Sequence, residues 1–376
     1  MKQHYDRIRV QGFRRLVDLD LELRPLNVLI GANGSGKTSI LDVFSLLASS
    51  ASGQLAAKIA ETGGILSILT NGRADQVFFE LSSWVPDSKS VLYELSLKIQ
   101  GIAYQISSEK LYQDFAYVES RSGDVIYREF DGVLSTKPTW EYRPFETALS
   151  QVPKQYPIPE KVRGFLSSLT YYHALDVGPR APVRLPQPLR PAPLPGKDGE
   201  DLVSCLFSMQ QTEPERFEAI EDALRTAFPG FVRLQFPPVA AGTLAMTWKD
   251  SNFSQPFYMN QLSEGTLRFL WLATLLQSPG LTGVVLIDEP EVSLHPELLS
   301  ILAELLREAT SRAQIVVATH ADRLIRFLEP EEVVALDVDE QGAVQAHRAD
   351  QLDIGEWLKE YTLDEVWRLG RIGGRA

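Results

Sequence analysis

The residues with the clearest chemical meaning form one glycine-rich stretch, Gly31–Thr38, which reads GANGSGKT. It follows a short apolar run, Leu26–Ile30, that predicts a buried strand, and it precedes Ser39–Leu47, whose apolar spacing predicts a helix packed on a sheet. A strand, the pattern GxxxxGK[ST] and a helix, in this order, predict a phosphate-binding loop. The alternative is a plain turn rich in glycine and serine, and both flanks argue against it.

Each residue type in this loop has a physical task on a nucleoside triphosphate. Glycines let successive backbone N–H groups curl round a phosphate, and the helix N-terminus adds a positive field. Lys37 adds a charge, and the Thr38 hydroxyl can bind Mg²⁺. The predicted nucleotide-binding residues of the loop are Asn33, Gly34, Ser35, Gly36, Lys37, Thr38 and Ser39. We therefore expect the chain to bind ATP together with Mg²⁺.

Two adjacent acids, Asp288 and Glu289, follow the apolar run Val284–Ile287. An acid at the end of a buried strand beside a phosphate loop can hold Mg²⁺, directly or through water. A second acid next to it can orient and deprotonate an attacking water. The alternative is a solvated strand end with two ordinary carboxylates. After a phosphate loop, we predict that Asp288 and Thr38 bind the metal and that Glu289 is catalytic.

A third pattern, Leu262-Ser263-Glu264-Gly265, opens a predicted helix ahead of the acidic strand. A serine, a small turn residue and a helix N-terminus form another anion cradle, although alone they indicate only a helix cap. The order of these patterns resembles that of ABC-type ATPases. In that superfamily the signature closes on nucleotide held by a second subunit, which implies this role for Ser263 and Gly265. His320, which ends the next strand, resembles the family's switch histidine and is a predicted catalytic residue.

The resemblance narrows to the RecF/SMC branch, including OLD-type ATPases. It is carried by the opening GFRR at residues 12–15, the GANGSGKT loop, the block IDEPEVSLHP and the strand end ATH. Nearly the whole chain is similar to the RecF-like ATPases of bacterial genomes, without a coiled coil or a Toprim domain. This resemblance implies that Arg14 lies near the nucleotide phosphates, although an arginine pair at a turn can equally face solvent. No glutamine fits the family's Mg²⁺-sensing loop, because Gln76 precedes a strand and Gln187 lies in a Pro-rich stretch.

The fold class that we predict is α/β, an ABC-type P-loop ATPase head. Strand and turn signals predict an antiparallel β-meander near the N-terminus, and strands alternating with helices predict a mostly parallel core sheet covered on both faces. Pro296 is predicted just inside the start of a helix. The predicted divisions are 1–134 for an N-terminal lobe with the phosphate loop and the meander, 135–258 for a helical and Pro-rich insert, and 259–376 for a C-terminal lobe.

Composition limits the classes of function. The net charge of −12 argues against a uniformly basic surface that coats nucleic acid, but not against a local basic groove. No apolar run approaches the roughly 18 residues that a membrane span needs, and the N-terminus lacks the apolar segment of a secretory signal. Cys205 is the only cysteine. We therefore expect a cytoplasmic protein without membrane segments.

The resemblance implies a homodimer that sandwiches ATP and hydrolyses it to ADP and phosphate, slowly or on stimulation by a partner. By family analogy, we expect DNA as the target, in repair or phage defence, with a separately encoded nuclease or toxin as effector. The predicted DNA-contacting residues are Arg180, Arg184 and Arg190 in the Pro-rich stretch, with Lys154, Lys161 and Arg163 upstream.

Two alternatives stay open. One is a nucleotide-gated interaction module that holds a toxin or nuclease partner and hydrolyses ATP slowly. The other is a subunit of an ABC transporter, against which the long stretch between Lys37 and Ser263 argues.

Overall fold

The computed structural model describes residues 4–70, 73–84, 90–113, 116–121, 124–128, 135–136 and 143–373. The predicted strand ends at Phe115 and Phe130 and the tail residue Gly374 lie outside these ranges. The strands are β1 (His4–Phe13), β2 (Leu16–Glu22), β3 (Leu26–Ile30), β4 (Gln76–Trp84), β5 (Val91–Gln100), β6 (Ala103–Tyr112), β7 (Ala116–Arg121), β8 (Asp124–Arg128), β9 (Ser135–Thr136), β10 (Thr170–Tyr172), β11 (Gln187–Pro188), β12 (Phe231–Gln235), β13 (Pro238–Ala240), β14 (Thr243–Leu244), β15 (Thr247–Asp250), β16 (Phe257–Tyr258), β17 (Gly283–Asp288), β18 (Ala313–Ala318), β19 (Val333–Val338) and β20 (Val344–Arg348).

The α-helices of the same ranges are α1 (Lys37–Ala51), α2 (Leu55–Glu61), α3 (Ile65–Ile68), α4 (Pro157–Ser167), α5 (Leu202–Thr212), α6 (Pro214–Ala227), α7 (Glu264–Gln277), α8 (Leu298–Ala309), α9 (Asp322–Ile325) and α10 (Leu363–Arg368). Helix α8 differs from the prediction at its start. Pro296 lies in a turn two residues before the helix, where the Leu298 amide donates to the His295 carbonyl at 2.9 Å. Across the described ranges, no helix has both the length and the apolar character required to traverse a bilayer.

One outer layer is an antiparallel sheet with the strand order β2-β1-β4-β5-β6-β7-β8-β9. From β4 onward each strand pairs with the next, which confirms the predicted meander. In β5, the buried residues Val91, Tyr93, Leu95 and Leu97 alternate with more exposed ones. Because side chains alternate between the two faces of a strand, one face of the sheet packs towards α1 and the other faces solvent.

The second sheet is the predicted core sheet, with the order β10-β17-β18-β3-β19-β20. Its first five strands are parallel and β20 is antiparallel to β19. In β17, Val284 and Leu286 pack towards α1 and the antiparallel sheet, whereas Val285 and Ile287 pack towards α7 and α8. Since both faces are covered, these strands are apolar at nearly every position. The α/β head that we predicted is therefore confirmed.

The register of the core sheet brings the chemically important residues to one edge. Asp288 in β17 lies opposite Ala318 in β18, and Ala318 lies opposite Leu29 in β3. The three strands therefore end side by side, and the segments that follow them start at the same carboxyl edge. These segments carry Glu289, His320 and the phosphate loop.

Residues of the predicted insert belong to both layers. Helix α4 packs on α1, and β10 is the edge strand of the core sheet beside β17. Helices α5 and α6 pack with α7, and β11–β16 form two small three-stranded sheets. The predicted insert, residues 135–258, thus shares its core with both neighbouring lobes. The division at residues 134/135 and 258/259 stays a prediction.

A bridge segment, residues 143–152, joins the antiparallel sheet to α1 and α2. The carboxylate of Glu109 in β6 accepts from the Leu149 amide at 2.9 Å and from the Ala148 amide at 2.5 Å. Glu146 accepts from the Leu55 amide at 2.8 Å, at the start of α2. Two buried carboxylates thus supply the acceptors that the amides of this irregular segment and of α2 need.

Candidate nucleotide site

The phosphate loop joins β3 to α1 in a tightly packed turn. Gly36 has a φ of 100°, and a Cβ at this position would come within 2.8 Å of a Val344 methyl group, so only glycine fits. The Lys37 ammonium donates to the Gly31 and Ala32 carbonyls at 2.6 and 3.0 Å. Burial lowers the pKa of Lys37 to about 8, and Asp288, Glu289 and Glu291 act in the opposite direction. Lys37 is therefore a poorly solvated cation within electrostatic reach of the acidic segment.

The remaining loop residues present donors at its surface. Asn33, Gly34 and Thr38 are exposed, and Ser39 is half-buried in the first turn of α1. Ser35 is buried, and its hydroxyl has no hydrogen-bond partner. An unpaired buried hydroxyl is costly, so a phosphate oxygen that accepted from it would be stabilised. This is the arrangement expected for a loop that receives phosphate.

The two predicted acids stand in different environments. Asp288 accepts from the Tyr171 hydroxyl at 3.2 Å, and burial raises its pKa, with a further contribution from Glu289. Glu289 has a φ of 51°, unusual for a residue other than glycine, and its amide donates to the Ala318 carbonyl at 2.8 Å. This backbone turn leaves the Glu289 side chain 45% exposed, with one carboxylate oxygen 3.6 Å from Nε2 of His320. The sharp turn therefore presents Glu289 beside His320.

Glu291 was not among the predicted site residues, although it fixes the loop that carries His320. Its Oε1 accepts from the Thr319 hydroxyl at 2.6 Å and from the amides of His320 and Ala321 at 3.1 and 3.2 Å. Its Oε2 is buried without a partner, and burial raises the pKa of this carboxyl. The third acid of the run Asp288-Glu289-Pro290-Glu291 was the sequence signal for a further functional carboxylate.

The signature turn is held against the loop that follows the acids. Ser263 caps α7 by accepting from the Thr266 amide at 3.1 Å, and its side chain is exposed. A Cβ on Gly265 would lie 2.6 Å from the Ser293 carbonyl oxygen, so glycine is required by this close approach. The Arg268 guanidinium donates to the Ser293 hydroxyl at 2.8 Å and to the Leu175 carbonyl at 3.2 Å. These contacts join the signature turn to the loop that follows the two acids.

The N-terminal arginine pair divides between two tasks. The guanidinium of Arg14, at a φ of 48°, pairs with Asp42 of α1 at 2.5 Å. Arg15 donates to the Gly34 carbonyl at 3.0 Å and so contacts the phosphate loop directly. The proposed nucleotide contact of Arg14 stays a prediction.

The predicted basic edge is partly used within the protein. Arg184 donates to the Leu262 carbonyl at 2.9 Å, just before the signature serine, and Arg190 pairs with Asp201. Arg163 donates to the Val152 carbonyl at 2.7 Å. Lys154, Lys161 and Arg180 are exposed, and so is Arg190 beside its partner Asp201.

Taken as donors and acceptors, these groups fit a nucleoside triphosphate with a divalent cation. The Ser35 hydroxyl, the Lys37 ammonium and the amides at the start of α1 suit phosphate oxygens. The Thr38 hydroxyl and the Asp288 carboxylate offer the oxygen ligands that Mg²⁺ prefers. The cation would neutralise charge on the phosphates.

Comparisons with known proteins agree with this fold. A protein-family model described as "AAA domain, putative AbiEii toxin, Type IV TA system" matches residues 26–326. A stretch of 89 residues is 29% identical to the Septu protein PtuA of Bacillus thuringiensis; it covers 23% of this chain and 22% of that protein. This chain therefore aligns with only about a fifth of that relative's length.

Two solved structures share the fold across nearly the whole chain. An SMC head bound to the C-winged helix domain of ScpA has a TM-score of 0.57 at 15% identity and covers 93% of this chain and 99% of its own. An SMC head with an extended coiled coil, bound to the C-terminal domain of ScpA derived from Pyrococcus furiosus, has a TM-score of 0.54 at 12% identity and covers 95% of this chain and 99% of its own. The matching model covers more than half of the chain, so the chain belongs to this AAA domain family, and the predicted P-loop ATPase of the ABC type is confirmed.

Proposed function

We propose that the protein is an ATP-driven homodimer switch that acts on DNA in repair or phage defence, together with a separately encoded effector. The observation that supports it best is the convergence of Lys37, Glu289 and His320 at one edge of the core sheet, with Glu289 3.6 Å from His320. A cation for the phosphates, a carboxylate for the water and a histidine beside it are the groups that phosphoryl transfer to water needs.

Within one subunit, the phosphate loop binds and orients the triphosphate. The loop amides and Lys37 hold the β- and γ-phosphates, and Ser35 donates its hydroxyl to a phosphate oxygen. Thr38 and Asp288 hold Mg²⁺. The loop amides are already fixed by the sheet and α1, so they require little reorganisation when charge develops in the transition state. The Lys37 ammonium would turn from the Gly31 and Ala32 carbonyls to the phosphates.

Glu289 orients the attacking water and accepts its proton. Its 45% exposed side chain allows water to reach the carboxylate. Nε2 of His320 lies 3.6 Å from this carboxylate, and Glu291 holds the backbone of the His320 loop. We propose that His320 couples the γ-phosphate to reopening of the dimer.

The second subunit supplies its signature turn. Ser263 is exposed at the N-terminus of α7, where the helix dipole favours an anion. We propose that Ser263 and Gly265 of one copy close on the γ-phosphate held by the other. Nucleotide occupancy and dimer formation are then linked equilibria.

The Glu289→Gln variant tests the switch, because it keeps nucleotide binding and removes the base. Light scattering after gel filtration with saturating ATP should give the mass of two chains, and the mass of one chain without ATP. Ser263→Asp in the same background keeps the helix cap but repels phosphate, so the double variant should bind ATP as a monomer. If the Glu289→Gln variant binds ATP and stays monomeric, the proposal of an ATP-driven dimer switch is wrong.

A salt titration tests DNA binding. Neutralising the exposed cations Lys154, Lys161 and Arg180 should lower the slope of log affinity against log salt by about 2–3. The matched control neutralises three other exposed cations, Lys98, Arg121 and Lys359. Equal loss in both variants, or binding that does not depend on salt, contradicts a DNA surface at this edge.

A nucleotide-gated module that holds a toxin or nuclease partner is a second candidate. Two observations favour it: the family description names a toxin, and Arg184 and Arg190 bond within the chain. In addition, the two SMC heads compared above are each bound to a domain of ScpA. Co-purification with the product of a neighbouring gene, ATP-dependent and without DNA affinity, supports this candidate over the first.

A further inference from the structure

Tyr171 of the edge strand β10 and His173, which directly follows this strand, lie beside the predicted metal ligand Asp288. Tyr171 is opposite Leu286 and Tyr172 is opposite Ile287 in the parallel register of β10 and β17. Continuing this register places His173 beside Asp288. The contacts agree with it, because Nδ1 of His173 lies 3.9 Å from Oδ2 of Asp288.

Tyr171 and His173 act as a pair on this carboxylate. Both side chains face Asp288, and their rings contact each other with centroids 4.2 Å apart and an interplanar angle of 37°. The Tyr171 hydroxyl donates to Oδ2 of Asp288 at 3.2 Å. Tyr171 thus orients both the carboxylate and the imidazole.

The separation of the two ligand atoms suits a shared cation. Nitrogen and oxygen ligands lie about 2.0–2.2 Å from a divalent metal. Two ligands of an octahedral ion are therefore roughly 3 Å apart when adjacent and roughly 4 Å apart when opposite. The 3.9 Å between Nδ1 of His173 and Oδ2 of Asp288 is close to the separation of opposite ligands, and the His173 side chain is 69% exposed, so a cation in solvent can reach it.

The protein alone does not complete a metal cage. Among the residues that the structure describes, no group of three His, Cys, Asp or Glu side chains could hold a metal ion. His173, Asp288 and the Thr38 hydroxyl would therefore bind a cation only together with phosphate oxygens and water. At such a site, the metal ion and the nucleotide bind together.

We propose that His173 is a nitrogen ligand of the metal–nucleotide complex, and that the site consequently favours first-row transition-metal ions over Mg²⁺. This inference rests on the proposed nucleotide site. An imidazole is a good ligand for transition metals and a poor one for Mg²⁺, which prefers oxygen. Tyr171 is a positioning residue in this arrangement.

The test uses Mn²⁺ as a paramagnetic probe with a non-hydrolysable ATP analogue on the full chain. Electron spin echo spectroscopy of this complex detects ³¹P of a bound phosphate and ¹⁴N of a bound imidazole separately. Wild type should show both couplings. His173→Gln should keep ³¹P and lose the ¹⁴N coupling, because a glutamine offers an oxygen. His295→Gln is the matched control, since His295 also has a 69% exposed side chain, and it should keep both couplings.

The outcomes separate the two levels of the proposal. ³¹P coupling without ¹⁴N coupling in wild type overturns the histidine ligand and leaves the nucleotide site intact. Absence of both couplings in wild type overturns the nucleotide site as well. Competition binding with the same analogue compares the affinities for Co²⁺ and Mg²⁺. His173→Gln should lower the ratio of Co²⁺ to Mg²⁺ affinity by about tenfold, which is the lower end of the losses in metal affinity seen when metal sites are altered. An unchanged ratio also contradicts the inference.

Discussion

Two glutamates hold backbone amides in different regions of the molecule, and the hydrogen bonds divide differently between their two carboxylate oxygens. Glu109 is buried, whereas Glu291 is half-buried. Glu109, between the meander and the bridge segment, uses both oxygens: besides the two amides of the bridge segment, it accepts from the Tyr93 hydroxyl at 3.0 Å. Glu291, in the nucleotide site, directs all three of its donors to Oε1 and leaves Oε2 buried without a partner. Burial raises the pKa of both carboxyls, to about 7 for Glu109.

The contrast separates a structural region from a functional one. Around Glu109, the polar groups described above are paired. These hydrogen bonds stabilise the contact between the meander and the bridge segment and favour one packing of the two. At the carboxyl edge of the core sheet, the Ser35 hydroxyl and one Glu291 oxygen are unpaired, and Glu289 has a positive φ. Strain and unmet hydrogen bonds collect where a ligand or a conformational change can relieve them.

The largest expected effect is on the functional side. Lys37→Met should lower kcat/KM for ATP hydrolysis by about 10²–10³-fold, because a cation aimed at developing charge is lost. It should leave the free energy of unfolding unchanged or raise it, since a buried charge is removed. Steady-state kinetics and urea titration measure the two quantities. Lys98→Met, at a 53% exposed side chain, is the control and should change neither.

On the structural side, Glu109→Ala should lower the free energy of unfolding by about 3 kcal/mol, because it leaves buried donors unpaired. Its kcat, measured below the unfolding transition, should match that of wild type. A variant that folds with wild-type stability would show that this carboxylate does not hold the bridge segment on the meander. A variant that is stable but inactive would erase the distinction between the two regions.

The pH dependence of stability follows from the raised pKa of Glu109. An acid whose folded pKa exceeds its unfolded value binds its proton more tightly in the folded state. The stability that Glu109 contributes is therefore full below about pH 4.5 and is lost as the pH rises through about 7. The slope is at most about 1.4 kcal/mol per pH unit. Urea titrations between pH 4.5 and 7.5 should show a flatter profile for Glu109→Gln than for wild type, and identical profiles would refute the assignment.

The smallest effect sharpens the comparison, because it applies the same substitution in the other region. Glu291→Gln keeps an acceptor for Thr319 and the two amides but weakens these bonds by removing the charge. We expect kcat to fall by about fivefold, which corresponds to about 1 kcal/mol, as the His320 loop loosens. The free energy of unfolding should stay within about 0.5 kcal/mol of wild type. A loss of stability with unchanged kcat would instead place Glu291 with Glu109.

Local patterns predicted the parts of the site that are contiguous in sequence. The glycine-rich loop, the acids at the end of β17 and the cap at Ser263 each depend on a few neighbouring residues, so spacing and residue type suffice to recognise them. The meander was predictable for the same reason, since alternation and turn residues are local. The helix start at Leu298 was misplaced because a proline also fits the turn before a helix.

Contacts between distant segments could not be predicted in this way. Tyr171 meets Asp288 across 117 positions of the chain, and only the parallel pairing of β10 with β17 brings them together. Arg184 was predicted to face DNA, whereas it holds the carbonyl before the signature serine. A charged side chain in a Pro-rich stretch gives no sign of which distant carbonyl it will meet. The bridge segment was equally hidden, because its amides depend on a glutamate from another strand.

The contact between Gly36 and Val344 has a consequence for synthesis of the chain on the ribosome. The glycine of the phosphate loop is translated early, but the methyl groups that pack against it come from β20, some 300 residues later. A nascent chain can therefore form the loop without its final support. The packing around Gly36 is therefore complete only after β20 has left the exit tunnel, so the phosphate loop reaches its final packing late in synthesis.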